Sequence, residues 1–150
     1  MQPHADVLTQ AVARYAVPQE LLAVPLIESG YRNLPQSADP RHGAGIWMFI
    51  TPTARAFDLR VDEGNDERLS VAAETDAAMR LLTGLHRQFG DWGLALLAYN
   101  GGAALVERAI SETGSRDVWE IVARGYENDP DYVENVMAAA LIMKNSSLVE

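Results

Sequence analysis

Apolar residues recur along this chain at the three- and four-residue spacing of amphipathic helices, and the alternation of apolar and polar residues typical of strands is almost absent. The clearest apolar stripe comprises Val71, Thr75, Ala78, Leu82, Leu85 and Phe89. A shorter stripe near the start comprises Val7, Leu8, Val12 and Tyr15. Each stripe places its apolar side chains on one face of a helix, where they can pack against other helices. The pattern therefore predicts an all-α protein.

Proline, glycine and capping residues mark where the predicted helices begin and end. Pro18 is expected in the first turn of the second helix, and Gly30 is expected to end that helix. Asp91 suits the N-cap of the apolar segment that follows it, because its carboxylate can accept from the free N–H groups of a first turn. Gly101 and Gly102 are predicted to end that segment.

The rest of the chain divides into further helices and one long loop. Helices are predicted near residues 103–112 and 116–123, and a last helix is predicted to begin with Asp129 as its cap and Pro130 in its first turn. Residues 31–45 hold two prolines and two glycines among polar residues, and they are predicted to form a long irregular loop. A structureless loop of this length in a compact domain is usually either functional or disordered.

Composition and charge narrow the classes of function. The chain has 150 residues, a formal net charge of −9 and a pI of about 4.7. A nucleic-acid surface is not expected, because phosphate binding needs clustered Lys and Arg. No cysteine is present, which excludes disulfides and thiol chemistry. No apolar run approaches the ~20 residues of a membrane-spanning helix. From the length of the chain we expect one domain over residues 1–150. We expect this domain to act as a monomer.

Neither a metal site nor a cofactor site is expected from the motifs of the chain. His4, His42 and His86 share no metal-ligand spacing. The acidic segment 61–68 resembles a Ca²⁺ loop only in composition, because it lacks the alternating oxygen ligands and the closing Glu. No Gly-x-Ser-x-Gly motif or Cys–His pair is available for nucleophilic catalysis.

Glu28 follows an apolar run in the stretch VPLIESGYRN and falls in the last turn of the second predicted helix. A carboxylate there faces the negative end of the helix dipole, and apolar surroundings would further disfavour its charged form. Both effects raise the pKa of a carboxyl group, as a general acid working near neutral pH requires. Taken by itself, the stretch fits a solvated helix end with no chemical role even better.

The stretch GAGIWMFITPTAR suits either the lining of a cleft or a hydrophobic core. Gly43 and Gly45 allow the backbone to turn or to approach a ligand closely. The aromatic faces of Trp47 and Phe49 are suited to stacking on sugar rings. In isolation, the core is the better interpretation of these two residues.

The stretch ALLAYNGG places a hydroxyl and an amide directly after an apolar helix. Tyr99 and Asn100 are therefore candidates for lining a cleft. An ordinary helix end with no functional role fits the same residues.

Taken in order, four segments resemble the lytic transglycosylase domain of the soluble and membrane-bound murein enzymes. The segments are IESGYR, GAGIWMFITPTARAFDLRVDEGNDERLS, FGDWGLALLAYNGG and DPDYVENVMAAALI. They are most similar to the branch of membrane-bound murein transglycosylase D, and the similarity runs from about Val17 to Ile142. The resemblance implies a single domain with a lysozyme-like, goose-type fold, in which several helices pack around a glycan cleft.

The resemblance also implies roles for residues in the first two segments. Glu28 corresponds to the sole catalytic carboxylic acid of the family, and Ser29 follows it as in the family's Glu-Ser pair. Gly45 and Trp47 match the motif whose aromatic or Met position lines the glycan cleft. Met48 departs from the family, which has Gln at this position. Because Met donates no hydrogen bond, a substrate contact worth about 1–3 kcal/mol is expected to be missing or replaced.

In the last two segments the resemblance implies three supporting residues. Tyr99 is expected close to the catalytic Glu, and Asn100 is expected to support the site. Tyr132 matches a Tyr that commonly contacts the catalytic acid. The Glu-Thr pair that usually precedes this Tyr appears as Asn128-Asp129, so only half of the last motif matches.

The implied activity is cleavage of peptidoglycan between N-acetylmuramic acid and N-acetylglucosamine, with formation of 1,6-anhydro ends. In this reaction the same Glu acts first as the acid and then as the base, so no second carboxylate is needed. Two alternatives stay open: a hydrolase of goose-lysozyme type, with Asp39 as the residue that activates water, and a catalytically impaired peptidoglycan-binding relative, suggested by Met48. In each case the expected partner is the glycan strand of peptidoglycan, and the expected location is the periplasm or cell envelope.

Overall fold

The computed structural model describes residues 4–145. Within this range the chain forms helices α1 to α8 and an antiparallel hairpin of strands β1 and β2. The helices span Ala5–Tyr15, Ala23–Ser29, Thr51–Ala56, Val71–Phe89, Trp92–Gly101, Ala103–Thr113, Val118–Ala123 and Tyr132–Lys144, and the strands span Val61–Asp62 and Asn65–Asp66. The predicted all-α class is confirmed. None of the helices formed by residues 4–145 is long and apolar enough to cross a membrane.

Contacts between residues divide the chain into two compact units. The first contains the residues up to Arg80 and those from Met137 onward, and the second contains Leu81–Val136. Helices α4 and α8 each contribute residues to both units.

The segment that carries Glu28 differs from the single helix predicted for it. Residues Gln19–Leu22 form a 3-10 helix, and α2 begins only at Ala23. Pro25 explains the break, because in a continuous helix its ring would clash with the carbonyl group four residues earlier. With α2 beginning at Ala23, Pro25 lies in the first turn, where the N–H groups have no partner within the helix. Gly30 ends α2 as predicted, in the left-handed conformation with φ 61°.

Two short elements in the first unit were not predicted from the sequence. Helix α3 has six residues, too few for a helical period to be read from apolar positions. It begins with a proline in its first turn, which is a common helix start. The hairpin of β1 and β2 has two residues in each strand, and Gly64 lies in its turn with φ 96°.

The second unit is built around α5, which packs against α6 and α7. Asp91 caps α5 as predicted, and its Oδ1 accepts from the backbone N–H of Leu94 at 2.9 Å. Gly102 follows the last residue of α5, in agreement with the predicted end of this helix. Glycine at position 93 allows α5 to pack closely against α7, because a Cβ there would lie only 2.8 Å from Cγ1 of Val118.

The start of α8 was predicted incorrectly. The helix begins at Tyr132, three residues after the predicted cap Asp129, and Asp131 has a φ of 62° that no right-handed helix contains. Glu127 supplies the carboxylate instead. Its two oxygens accept from the backbone N–H groups of Asp131 at 3.0 Å and Val133 at 2.9 Å.

Candidate active site

Glu28 lies in the last turn of α2, where it is half-buried. The preceding residues of the helix, Ala23, Val24 and Pro25, are buried and hold this short helix in the core of the first unit. The N–H of Gly30 donates to the carbonyl oxygen of Leu26 at 2.9 Å, which ends the helix directly after Ser29. The Glu28 carboxyl group therefore lies at the negative end of the α2 dipole, as expected from the sequence.

Ser29 is hydrogen-bonded to the loop between α2 and α3, which contains Gly45 and Trp47. Its side chain is buried, and its hydroxyl donates to the carbonyl oxygen of Ile46 at 2.8 Å. The carbonyl oxygen of Pro25 lies at 3.1 Å from the same hydroxyl. The residue next to Glu28 is thus bonded to the backbone of the second family motif.

The backbone of that loop is hydrogen-bonded to Glu74, which lies in the first turn of α4 and is fully buried. Glu74 Oε2 accepts from the N–H groups of Ile46 at 2.8 Å and Trp47 at 3.2 Å, and Oε1 lies 3.4 Å from the N–H of Phe49. Burial raises the pKa of Glu74 from its usual 4.5 to about 8, although the three backbone N–H groups and the charge of Arg68 lower it.

Gly45 is required by this arrangement. It has a φ of 83°, and a Cβ at this position would overlap the carboxylate of Glu74. The glycine therefore allows the loop backbone to lie directly on the buried carboxylate.

Trp47 is fully buried, and its indole N–H donates to the hydroxyl of Thr75 at 3.0 Å. A sugar ring cannot stack on an indole that has no exposed surface. The residue is placed to support the loop, and the core interpretation of Trp47 and Phe49 agrees with their burial.

Met48 is half-buried and adopts the left-handed conformation with φ 55°. This conformation costs an ordinary residue roughly 1 kcal/mol or more. The carbonyl group of Met48 lies directly against Gly43, where a Cβ would overlap it. A tight turn therefore sets the direction of the side chain at the position where the resemblance implies Gln.

Arg68 was not singled out from the sequence, although its side chain is almost fully buried. It donates to the carbonyl oxygen of Phe49 at 3.0 Å and to Oε1 of Gln36 at 3.0 Å. Its charge is balanced by Asp66 at 2.6 Å, and this guanidinium lowers the pKa of the Asp66 carboxyl group. Arg68 thereby fixes the far end of the loop.

The remaining predicted site residues, Tyr99, Asn100 and Tyr132, belong to the second unit. Tyr99 and Asn100 lie half-buried near the end of α5, and Tyr132 is buried at the start of α8. The amide of Asn100 donates to Oδ2 of Asp129 at 2.7 Å, and its carbonyl oxygen accepts from the N–H of Asp129 at 3.1 Å. This reciprocal pair joins the end of α5 to the turn before α8.

Asp39, the residue named for the hydrolytic alternative, is bound by Arg41. The guanidinium contacts its two oxygens at 3.0 and 2.7 Å, and the N–H of Arg41 donates to Oδ1 at 2.9 Å. These bonds hold the pKa of the Asp39 carboxyl group below its usual value. A carboxylate stabilised in this way is a weak base for activating water.

Glu74 and Arg68 are the loop-holding residues that the motifs did not reveal. A signal for Glu74 was present in the sequence, because the apolar stripe of α4 includes Thr75 and Ala78, and Glu74 lies beside them on the helix. Arg68 lies in the short segment Glu67–Leu69 and carried no periodic signal.

Comparison with known proteins agrees with the motifs. Residues 7–122 match the family described as Transglycosylase SLT domain. The chain is 31% identical over 150 residues to membrane-bound lytic murein transglycosylase D of Escherichia coli, covering 97% of this chain and 32% of that protein. It is also 31% identical over 111 residues to peptidoglycan transglycosylase gp16 of Escherichia phage T7, covering 73% of this chain and 8% of that protein. The chain thus spans about a third of the length of the first relative.

A solved structure confirms the fold expected from the resemblance. The structure of an inactive mutant of the lytic transglycosylase Slt from Pseudomonas aeruginosa superposes with a TM-score of 0.74 and 20% sequence identity, covering 98% of this chain and 25% of that chain. The fold is therefore the lysozyme-like fold of that enzyme. Because the family match extends over most of the sequence, the chain belongs to the transglycosylase SLT domain family.

Proposed function

We propose that this domain is a peptidoglycan lytic transglycosylase with Glu28 as its catalytic acid and base. The observation that carries the proposal is the position of Glu28, half-buried in the last turn of α2 and followed by a serine that is bonded to the loop of the second family motif. Membership of the family supports the same assignment. The residues proposed to support the site or to contact substrate are Ser29, Gly45, Trp47, Met48, Tyr99, Asn100 and Tyr132.

The proposed reaction needs one carboxyl group. Protonated Glu28 donates its proton to the glycosidic oxygen between N-acetylmuramic acid and N-acetylglucosamine, and an oxocarbenium-like centre develops at the muramyl C1. The Glu28 carboxylate then accepts the proton of the muramyl C6 hydroxyl, whose oxygen attacks C1. The C1–O bond to the leaving sugar is broken and an anhydro ring is formed, so no water is consumed.

Hydrolysis is the competing reaction at the same bond. It requires a second carboxylate that activates water in the ordinary two-carboxylate mechanism. Asp39 is the candidate named for this role, but both of its oxygens are engaged by Arg41. This arrangement favours the transfer to C6.

The experiment that tests the proposal is digestion of purified peptidoglycan, with the products identified by mass spectrometry. Wild type is expected to release muropeptides lighter by one water than the reducing forms, and Glu28→Gln is expected to release none while keeping its fold. Reducing products would contradict transglycosylation and favour hydrolysis. Glycan binding by wild type without any product would favour the impaired relative, and cleavage by Glu28→Gln would overturn the role of Glu28.

The context of the domain follows from the same proposal. We propose that residues 1–150 act as one catalytic domain and as a monomer on glycan strands in the periplasm or cell envelope. A relative named as membrane-bound and acting on murein supports this location. Sedimentation of the purified protein is expected to give a mass near 16.4 kDa; a dimer would contradict the monomer.

A further inference from the structure

A single peptide group lies between Glu74 and the residue next to Glu28. The carbonyl oxygen of Ile46 and the N–H of Trp47 belong to the same peptide group. Its oxygen accepts from the Ser29 hydroxyl at 2.8 Å, and its N–H donates to Glu74 Oε2 at 3.2 Å. The order of the chain of hydrogen bonds is therefore Glu74, the 46–47 peptide group and Ser29. Hydrogen bonds linked in this way polarise and strengthen one another.

Burying the carboxyl group of Glu74 to support a loop costs free energy. Removing a charged carboxylate from water costs several kcal/mol, and an apolar side chain of similar size would avoid this cost. Glu74 is fully buried, and its pKa is raised to about 8 by that burial. The charged group that acts on it is Arg68, which lowers the pKa and is itself paired with Asp66. What the Glu74 side chain provides is two oxygens at one place, directed at three N–H groups of the loop.

We propose that Glu74 is a positioning residue for the catalytic acid: by fixing the 46–47 peptide group it orients Ser29, and through Ser29 it orients the end of α2 that carries Glu28. This inference rests on the proposed function, since it concerns the same reaction. Glu74 itself has no role in contacting substrate. A misplacement of a catalytic group by a fraction of an ångström to 1 Å is sufficient to reduce turnover strongly.

The protonation state of Glu74 changes the number of acceptors offered to the loop. A proton on Oε1, which accepts only the long 3.4 Å bond from Phe49, leaves Oε2 to hold Ile46 and Trp47. The ionised form holds all three N–H groups with charge-assisted bonds, which are shorter and stronger than neutral ones. The backbone amide signals of Ile46, Trp47 and Phe49 are therefore expected to shift together as Glu74 titrates.

The first test compares Glu74→Gln with Tyr15→Phe. Gln keeps the size of the side chain but replaces one acceptor by an NH₂ group that faces an N–H. Tyr15→Phe removes the bond to Asp76, at 2.6 Å, which also lies on α4 but does not reach the loop. With a soluble glycan oligomer as substrate, Glu74→Gln is expected to lower kcat about tenfold or more with little change in KM. Tyr15→Phe is expected to leave kcat unchanged, and equal kcat values for both variants would overturn the proposal.

The second test interrupts the same chain of bonds at its other end. Ser29→Ala is expected to lower kcat to a similar extent, and the double variant Ser29→Ala/Glu74→Gln is expected to be no worse than the poorer single variant. Multiplied losses in the double variant would show that the two residues act separately. The kcat–pH profile of wild type is expected to contain an ionisation that the Glu74→Gln profile lacks.

A measurement without turnover separates this proposal from the proposed function. In Glu28→Gln, the amide signals of Ile46, Trp47 and Phe49 are expected to titrate together with a midpoint near pH 8, the pKa of Glu74. The positioning role alone would be overturned by the following combination: Glu28→Gln does not cleave, its loop amide signals do not shift with pH, and Glu74→Gln has a normal kcat. Cleavage by Glu28→Gln would overturn the catalytic assignment and leave the amide titration as evidence of the Glu74 bonds.

Discussion

Trp47 anchors the loop by its side chain, whereas Ser29 and Glu74 bond its backbone. The indole is fully buried and its one polar atom is matched by the hydroxyl of Thr75. A buried aromatic residue with its N–H satisfied combines a large apolar contact area with a fixed orientation. Trp47 therefore holds the loop in position from within the core and contributes no exposed surface.

Trp47→Phe is expected to lower the free energy of unfolding by about 2–3 kcal/mol, because it leaves a cavity and an unpaired Thr75 hydroxyl. Urea unfolding measures the change. Trp119→Phe is the matched control, since the Trp119 side chain is 48% exposed and its replacement is expected to change stability by less than about 0.5 kcal/mol. Equal losses for the two variants would contradict the anchoring role of Trp47.

Met48 carries the clearest departure from the family motif. Because the resemblance implies Gln at this position, Met48→Gln is expected to leave the rate of peptidoglycan digestion equal or to raise it. The backbone at this position has a positive φ in either case, so the free energy of unfolding is expected to change by less than about 0.5 kcal/mol. A large loss of activity with the fold intact would show that the Met side chain has its own role in contacting substrate.

At the scale of helices, the ends of α5 and α8 illustrate two outcomes of sequence analysis. Asp91 was correctly identified because a cap adjacent in sequence to an apolar segment is a local signal. At α8 the local signal of Asp129 and Pro130 was misleading, because Asp129 is paired with Asn100 and Glu127 accepts the N–H groups. A carboxylate that reaches its N–H partners from four and six residues away leaves no cap motif in the sequence.

The capping role of Glu127 can be measured directly. Glu127→Ala is expected to lower the free energy of unfolding by about 1 kcal/mol, the usual cost of a lost N-cap. Hydrogen exchange at the N–H groups of Asp131 and Val133 is expected to accelerate. Asp129→Ala is the comparison, and these two N–H groups are expected to keep their protection in it; the opposite pattern would restore Asp129 as the cap.

The same distinction applies to the candidate site. The family motifs supplied the candidate site residues, but Glu74 and Arg68 act through backbone groups of a loop that is distant in sequence. Such contacts depend on how the chain folds. At position 74 the sequence shows only a charged residue beside the apolar stripe of α4, and at position 68 it shows no periodic pattern. Helix class, several helix ends and the motif residues were therefore predictable, whereas the support beneath the loop was not.

At the scale of the whole molecule, Glu74 makes stability depend on pH. Between its usual pKa of 4.5 and about 8, the folded protein holds a proton that the unfolded chain has lost. The contribution of Glu74 to the free energy of unfolding is therefore fully present below pH 4.5 and is lost as pH rises to about 8. Asp66 acts in the opposite direction, because its lowered pKa adds stability that is lost as pH falls below its usual 3.8.

We therefore expect the free energy of unfolding to be greatest at weakly acidic pH and to fall by up to about 4 kcal/mol towards pH 8. Urea unfolding at a series of pH values measures this fall. Glu74→Gln has no group that titrates at position 74, so its curve is expected to be flatter over the same range. An equally steep fall in the variant would assign the pH dependence to other groups.

The overlap between Gly45 and Glu74 has a consequence for the order in which mutations can accumulate. With Glu74 present, a methyl group at position 45 would collide with the carboxylate, in addition to the strain of a φ of 83°. Shortening residue 74 removes the collision, so the effect of a change at 45 depends on the residue at 74, and the two effects do not add. An evolving lineage, or a library under selection, is therefore expected to accept a side chain at 45 more readily after 74 has changed.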